Sequence, residues 1–222
     1  MPIESSPKTF SGLAQSELLE PKKLPQAGVR LAEALKVLLR DKDFNSITTA
    51  EISRTAQANE ALLYRYFKDK RGLLHHVLAE YLKTFLAQMV RKTDGITDPR
   101  EKLERIIGAT LSFYDRDPVF AKILLVEVRN FPGYFESDTF RIIRWYTRVV
   151  TQAIIDGQKS GAVRADVPAG AIRDIILGSL EHRFLPRIIF NQPVEIKTIA
   201  SQIRTVLFEG LGPRPQPDGG TT

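Results

Sequence analysis

An all-α fold is expected for this chain of 222 residues, on three observations. Apolar residues recur three and four positions apart over most of its length, and start and stop signals bracket each of those runs. Strand-like alternation of apolar and polar residues never lasts beyond a few positions. The elements follow in order. Residues 1–24 carry Pro2, Pro7, Pro21 and scattered Ser without an apolar period, so a mobile arm is expected, with Lys22 and Lys23 before the first helix. Leu31, Ala34, Leu35, Leu38 and Leu39 then define a helix over 29–39, whose end Phe44 and Ile47 can cover. Thr48 followed by Glu51 has the pattern of a capping box, which starts a second helix at Thr49 with Ile52 and Ala56 on one face. Gln57, Ala58 and Asn59 form a turn; Asn59 is a suitable N-cap for a third helix beginning at Glu60. On that helix Leu63 and Phe67 point inward and Glu60, Ala61, Tyr64 and Arg65 point outward. Two short capped helices joined this way have helix-turn-helix spacing, and the outward face is the one that would enter a major groove.

The periodicity resumes at Leu73 and runs through Val77, Leu78, Tyr81, Leu82, Phe85 and Met89 to a stop at Gly95. Asp98-Pro99 is a start signal for a helix ending at Asp117-Pro118. Another apolar helix is expected over 120–131, closed by Pro132-Gly133, and a long one from Ser137 or Asp138 to Gly161. Two more, 171–190 and 196–211, are bounded by Pro168, Pro193 and Gly210, and the tail 212–222 is expected to be disordered. The domain organisation expected is a DNA reader over 25–72 and a helical bundle over 73–211.

Composition narrows the function. The chain has no Cys, which excludes a disulfide framework and thiolate metal sites, and it shows neither a signal-peptide pattern nor eighteen consecutive apolar residues. A cytoplasmic protein is expected. The formal charge of +6 suits a polyanionic partner, yet residues 1–72 hold 12 Lys and Arg against 9 Asp and Glu, so basic charge is not concentrated at the reader. Pattern has to carry the DNA reading. His75 and His76 are adjacent and project about 100° apart, a poor chelating pair, while His182 stands beside Glu181 with no second His near it. No phosphate-binding glycine loop, nucleophile elbow or zinc-protease helix occurs. No metal, cofactor or covalent chemistry is expected.

Thr48-Thr49, the turn from Ala56 to Asn59, Leu63-Tyr64-Arg65-Tyr66-Phe67 and Asp69-Lys70-Arg71-Gly72-Leu73-Leu74 together resemble the N-terminal domain of the TetR family of transcriptional regulators. Gln57 stands where that family usually has Gly, so the turn closes only if a non-glycine enters the left-handed region. The resemblance implies that Tyr64, Tyr66 and Lys70 contact phosphate or line the groove, and that Thr48 and Thr49 act at a helix N-terminus, where N–H groups and the dipole favour phosphate. Gln57, Asn59, Glu60, Ala61, Leu62 and Arg65 complete the candidate DNA-facing set. Glu60 either reads a cytosine amino group or points away, because a carboxylate repels phosphate.

The later segments, from Leu124-Leu125-Val126-Glu127 through Ile176-Leu177-Gly178-Ser179-Leu180-Glu181, resemble more loosely the subgroup that regulates fatty-acid degradation in response to acyl-CoA. The family resemblance implies a homodimeric repressor released by a small effector. Candidate effector contacts are Phe113, Phe120, Leu124, Tyr134, Trp145 and Phe184, with Arg141, Arg144 and Arg148 as a basic stripe for a phosphate-bearing head. Each aromatic can equally be bundle core, and the stripe can be an exposed face paired with Glu136 and Asp138. Ala171, Ile175, Gly178 and Ser179, with Ile199, Ile203 and Val206, are the candidate dimer stripes, unless they face the protein's own core. Two rivals stand beside this reading: a repressor of the same family answering aromatic or cationic drugs, and a helical enzyme or adaptor.

Overall fold

The computed structural model describes residues 23–210; the expectations for most of the N-terminal arm and for the tail lie outside them. Every regular element among these residues is helical. They are α1 (Gln26–Asp41), α2 (Thr49–Thr55), α3 (Glu60–Phe67), α4 (Lys70–Thr93), α5 (Pro99–Arg116), α6 (Pro118–Lys122), α7 (Asp138–Ser160), α8 (Ala169–Phe190) and α9 (Ile196–Glu209), with short 3-10 turns between some of them. The start signals act as read: Asp98 accepts a bond from the Arg100 N–H, Ser137 Oγ from the Phe140 N–H, and Pro99 opens α5. The expected single helix over 120–131 is different. After α6 the chain widens into a π turn (Ile123–Glu127) and then tightens into a 3-10 turn (Val128–Asn130), so consecutive apolar residues alter their angular spacing. That change buries Ile123, Leu124, Leu125 and Val128 together, which a straight helix could not do from one face.

The described residues divide into two compact units, one made of those up to Asp94 with Val119–Val149, the other of Gly95–Pro118 with those from Val150 onward. In the first, α1 to α4 close over Leu31, Leu35, Phe44, Ile52, Leu63, Phe67 and Leu74, and the same cluster takes in Phe120, Ile123, Val128 and Tyr134. The core of the helix-turn-helix is therefore continuous with the segment after α6. Phe131 stacks on Phe44 at 5.7 Å between centroids and lies under the Arg71 guanidinium, and Lys122 pairs with Asp43 at 3.2 Å. His75 on α4 faces the Phe131 and Tyr134 rings; Thr139 Oγ1 donates to its carbonyl at 3.2 Å and lies 3.1 Å from its Nδ1.

In the second unit α5, the end of α7, α8 and α9 bury Leu103, Ile107, Leu111, Ile154, Leu180 and Phe184, with Tyr114 and Phe184 5.5 Å apart. The turn after α7 folds back on Gly157. The Val163 N–H bonds the Gly157 carbonyl, and Gln158 Nε2 donates to the Arg164 and Val167 carbonyls at 2.9 and 2.8 Å.

Candidate nucleic-acid interface

The helix-turn-helix is built from its caps. Thr48 Oγ1 accepts the Glu51 N–H at 3.1 Å and Asn59 Oδ1 accepts the Ala61 N–H at 2.8 Å, so each short helix has one orphan donor satisfied by the residue expected to do it. The return half of the capping box is absent. The Glu51 carboxylate pairs with Lys42 instead, and that bond holds its pKa below the ordinary value. Gln57 takes φ of +49°, the left-handed conformation that the missing glycine demanded, and the Ala58 N–H reaches back to the Ser53 carbonyl. Arg30 of α1 fastens this turn with bonds to the Ala56 and Gln57 carbonyls at 3.1 and 3.4 Å. Nothing in the local pattern singles out Arg30, because its partners are backbone atoms 26 and 27 residues away.

Tyr64 is 51% exposed, an uncommon state for a large aromatic ring, and its hydroxyl lies 3.4 Å from Thr49 Oγ1. The N-terminus of α2 and the outer face of α3 are thereby joined into one polar surface with Thr48, Ala61 and Arg65, all exposed. Gln57 and Asn59 are exposed beside it, Glu60 is half-buried at the start of α3, and Leu62 and Tyr66 pack partly on the core, Tyr66 edge-on to Phe67. Lys70, at the start of α4, reaches back to the turn before α2. Its Nζ donates to the carbonyls of Ile47, Phe44 and Asn45 at 2.6, 2.8 and 3.4 Å and sits 4.4 Å above the Phe44 ring.

The candidate effector residues do not share one environment. Phe120, Leu124, Tyr134 and Trp145 are buried in the first unit, and Phe113 and Phe184 are buried in the second. Arg141, Arg144 and Arg148 are exposed along the first half of α7, where Arg141 pairs with Asp138 and Arg144 lies over the Phe140 ring. The exposed-face account of this stripe is the one the geometry matches. Among the dimer candidates, Ile199 and Ile203 are buried in their own unit, because α9 turns that face onto its neighbours, and they cannot form an outer stripe. Ala171, Ile175 and Gly178 are exposed, Ser179 is half-buried, and Val206 is exposed. Ile175 at 56% and Val206 at 48% are unusual exposures for β-branched apolar residues. Among the described residues no helix is long and apolar enough to cross a membrane, and no cluster of His, Asp or Glu could hold a metal ion.

A capped helix-turn-helix whose core continues into a helical body defines a DNA-binding regulator class. The model of bacterial regulatory proteins of the tetR family matches residues 31–77, and that of the C-terminal region of YsiA-like proteins matches 78–210. The chain belongs to the TetR family and is a transcriptional regulator. It is 18% identical over 183 residues to the fatty acid metabolism regulator protein of Bacillus subtilis, an alignment covering 82% of this chain and 94% of that protein. Its fold superposes with a TM-score of 0.74 on the crystal structure of the transcriptional regulator FadR from Bacillus subtilis in complex with stearoyl-CoA, at 17% identity, covering 83% of this chain and 99% of that one. The fatty acid degradation regulator FadR from Bacillus halodurans gives a TM-score of 0.75 at 16% identity, covering 86% and 98%. These relatives are regulators of transcription, not enzymes.

Proposed function

We propose that this chain is a homodimeric repressor whose residues 25–72 read a pseudopalindromic operator and whose residues 73–211 dimerise and bind an apolar effector, an acyl-CoA being the favoured class. The observation that carries the DNA half is the polar surface made by Thr48 and Thr49 at the capped N-terminus of α2 with Tyr64 and Arg65 on the outer face of α3. Gln57, Asn59, Glu60, Ala61 and Leu62 supply the remaining base and backbone contacts. Two readers spaced about 34–36 Å apart would meet successive major grooves, and an effector acts by changing that spacing.

The acyl-CoA assignment is supported by the relative solved with stearoyl-CoA and by the match of residues 78–210 to the C-terminal region of YsiA-like proteins. A hydrocarbon chain gains about 0.8 kcal/mol for each CH₂ buried. Affinity for an enclosed acyl site therefore rises with chain length until that site is full and then falls. Calorimetry with acyl-CoAs of increasing length, free coenzyme A as headgroup control, and release of a labelled duplex test this. Binding of the duplex with no acyl-CoA tighter than about millimolar, a level near 4 kcal/mol, discards the effector and keeps the regulator.

A further inference from the structure

We infer that Lys70 is a positioning residue of the DNA reader: its ammonium ties off the Phe44–Ser46 turn and so holds the N-terminus of α2 at the angle from which Thr48 and Thr49 meet the duplex. The inference rests on the reading of this chain as a DNA-binding regulator. An ammonium has three donors and no acceptor; the carbonyls of Ile47 and Phe44 take two of them at 2.6 and 2.8 Å, and the Asn45 carbonyl lies further off at 3.4 Å. Those carbonyls belong to one 3-10 turn and the residue that follows it, so their oxygens converge on a single point that only a compact point charge can fill. The Phe44 ring closes the remaining side at 4.4 Å. Loss of hydration at the same place lowers the Lys70 pKa from its ordinary value, with the neighbouring Arg71 adding to the effect.

The consequence for recognition follows from chain order. Ile47 immediately precedes the N-cap Thr48; its side chain is 1% exposed and its carbonyl is held by Lys70, so the entry to α2 is pinned from both sides. Lys70 is also the first residue of α4, directly after the Asp69 cap. One side chain therefore fixes the start of α2 against the end of the helix-turn-helix.

Lys70→Arg is the discriminating variant, because a planar guanidinium keeps the charge and serves phosphate well but cannot converge three donors on one point. A duplex enriched from a random library by the wild-type protein is the probe, titrated at several salt concentrations. The positioning role gives an affinity about tenfold weaker with the wild-type salt slope. Lys70→Met, read by hydrogen exchange, should speed exchange of the amides from Ser46 to Thr49 several-fold. Wild-type affinity in Lys70→Arg overturns the inference, as does a salt slope lowered by about 0.9 in Lys70→Met with exchange unchanged. A wild-type protein that enriches no duplex overturns the regulator reading instead, and the exchange data then judge the lock by itself.

Discussion

Gly72 stands where the recognition helix hands over to α4, and replacing it by alanine tests how that junction is built. A Cβ added there would lie 1.9 Å from the Phe67 carbonyl oxygen, well inside the 3.0 Å that real side chains do not cross. The obstructing atom is backbone, at the last residue of α3, so no rotamer change relieves it. Only Lys68 and Asp69 separate the two helices, and Lys68 already sits at φ of +70°. Relief must come from moving α4 away, which stretches the 2.7 Å bond from the Gly72 N–H to Asp69 Oδ1. Overpacking of this kind costs about 1–3 kcal/mol, and the weakened cap adds about 1 kcal/mol. A total near 3 kcal/mol lowers the thermal midpoint by roughly 6–12 °C in a chain of this size. Gly108 in α5 is the control: a Cβ there meets nothing within 4 Å, so Gly108→Ala should gain about 0.5–1 kcal/mol from helix propensity. Chemical unfolding of both variants, followed by circular dichroism, gives the two numbers. A Gly72→Ala protein within about 0.5 kcal/mol of wild type, the range of an ordinary surface change, refutes the steric account.

Three further outcomes are expected. Gln57→Gly should stabilise the protein by about 0.5–1 kcal/mol, since the left-handed backbone costs a side chain roughly 1–2 kcal/mol and glycine returns part of that as unfolded-state entropy; a lower unfolding midpoint would contradict it. His75 has its pKa lowered by burial, with Asp69 opposing the shift. The unfolded chain therefore takes up a proton first, near 6.5, so the stability present above that pH is lost as pH falls toward the depressed folded value. His75→Gln should flatten urea midpoints measured between pH 7 and 5.5, and an unchanged slope would place the titration elsewhere. Ile175→Glu, at an exposed site on α8, should leave the folded protomer intact and raise the dimer dissociation constant, as read by sedimentation; an unaltered dimer moves the interface off this stripe.

Apart from the segment 120–131, the helices and their caps were legible in the sequence because each depends on residues three or four positions apart. Thr48 with Glu51, Asn59 before Glu60, and Asp98-Pro99 act within one turn of chain, where backbone geometry leaves few alternatives. The positive φ at Gln57 was legible only through the resemblance, which places Gly at that position. The choice of face on a two-sided helix is another matter. Ile199 and Ile203 form as good a stripe in the sequence as Ala171 and Ile175, yet α9 spends its stripe on its own unit while α8 leaves Ile175 outside. Periodicity says that a face is apolar and cannot say what covers it. Side-chain bonds to distant backbone are equally invisible: the carbonyls that occupy Lys70 and Arg30 lie 23 to 27 residues away and carry no residue-type signal. The same holds for the aromatics after α6, where the passage from α to π to 3-10 winding set which of them met Phe44 and His75. Local chemistry in the sequence thus determined most of the elements and the caps of the reader's two short helices, whereas the long-range partners of buried and charged side chains depended on contacts that exist only once the helices have packed.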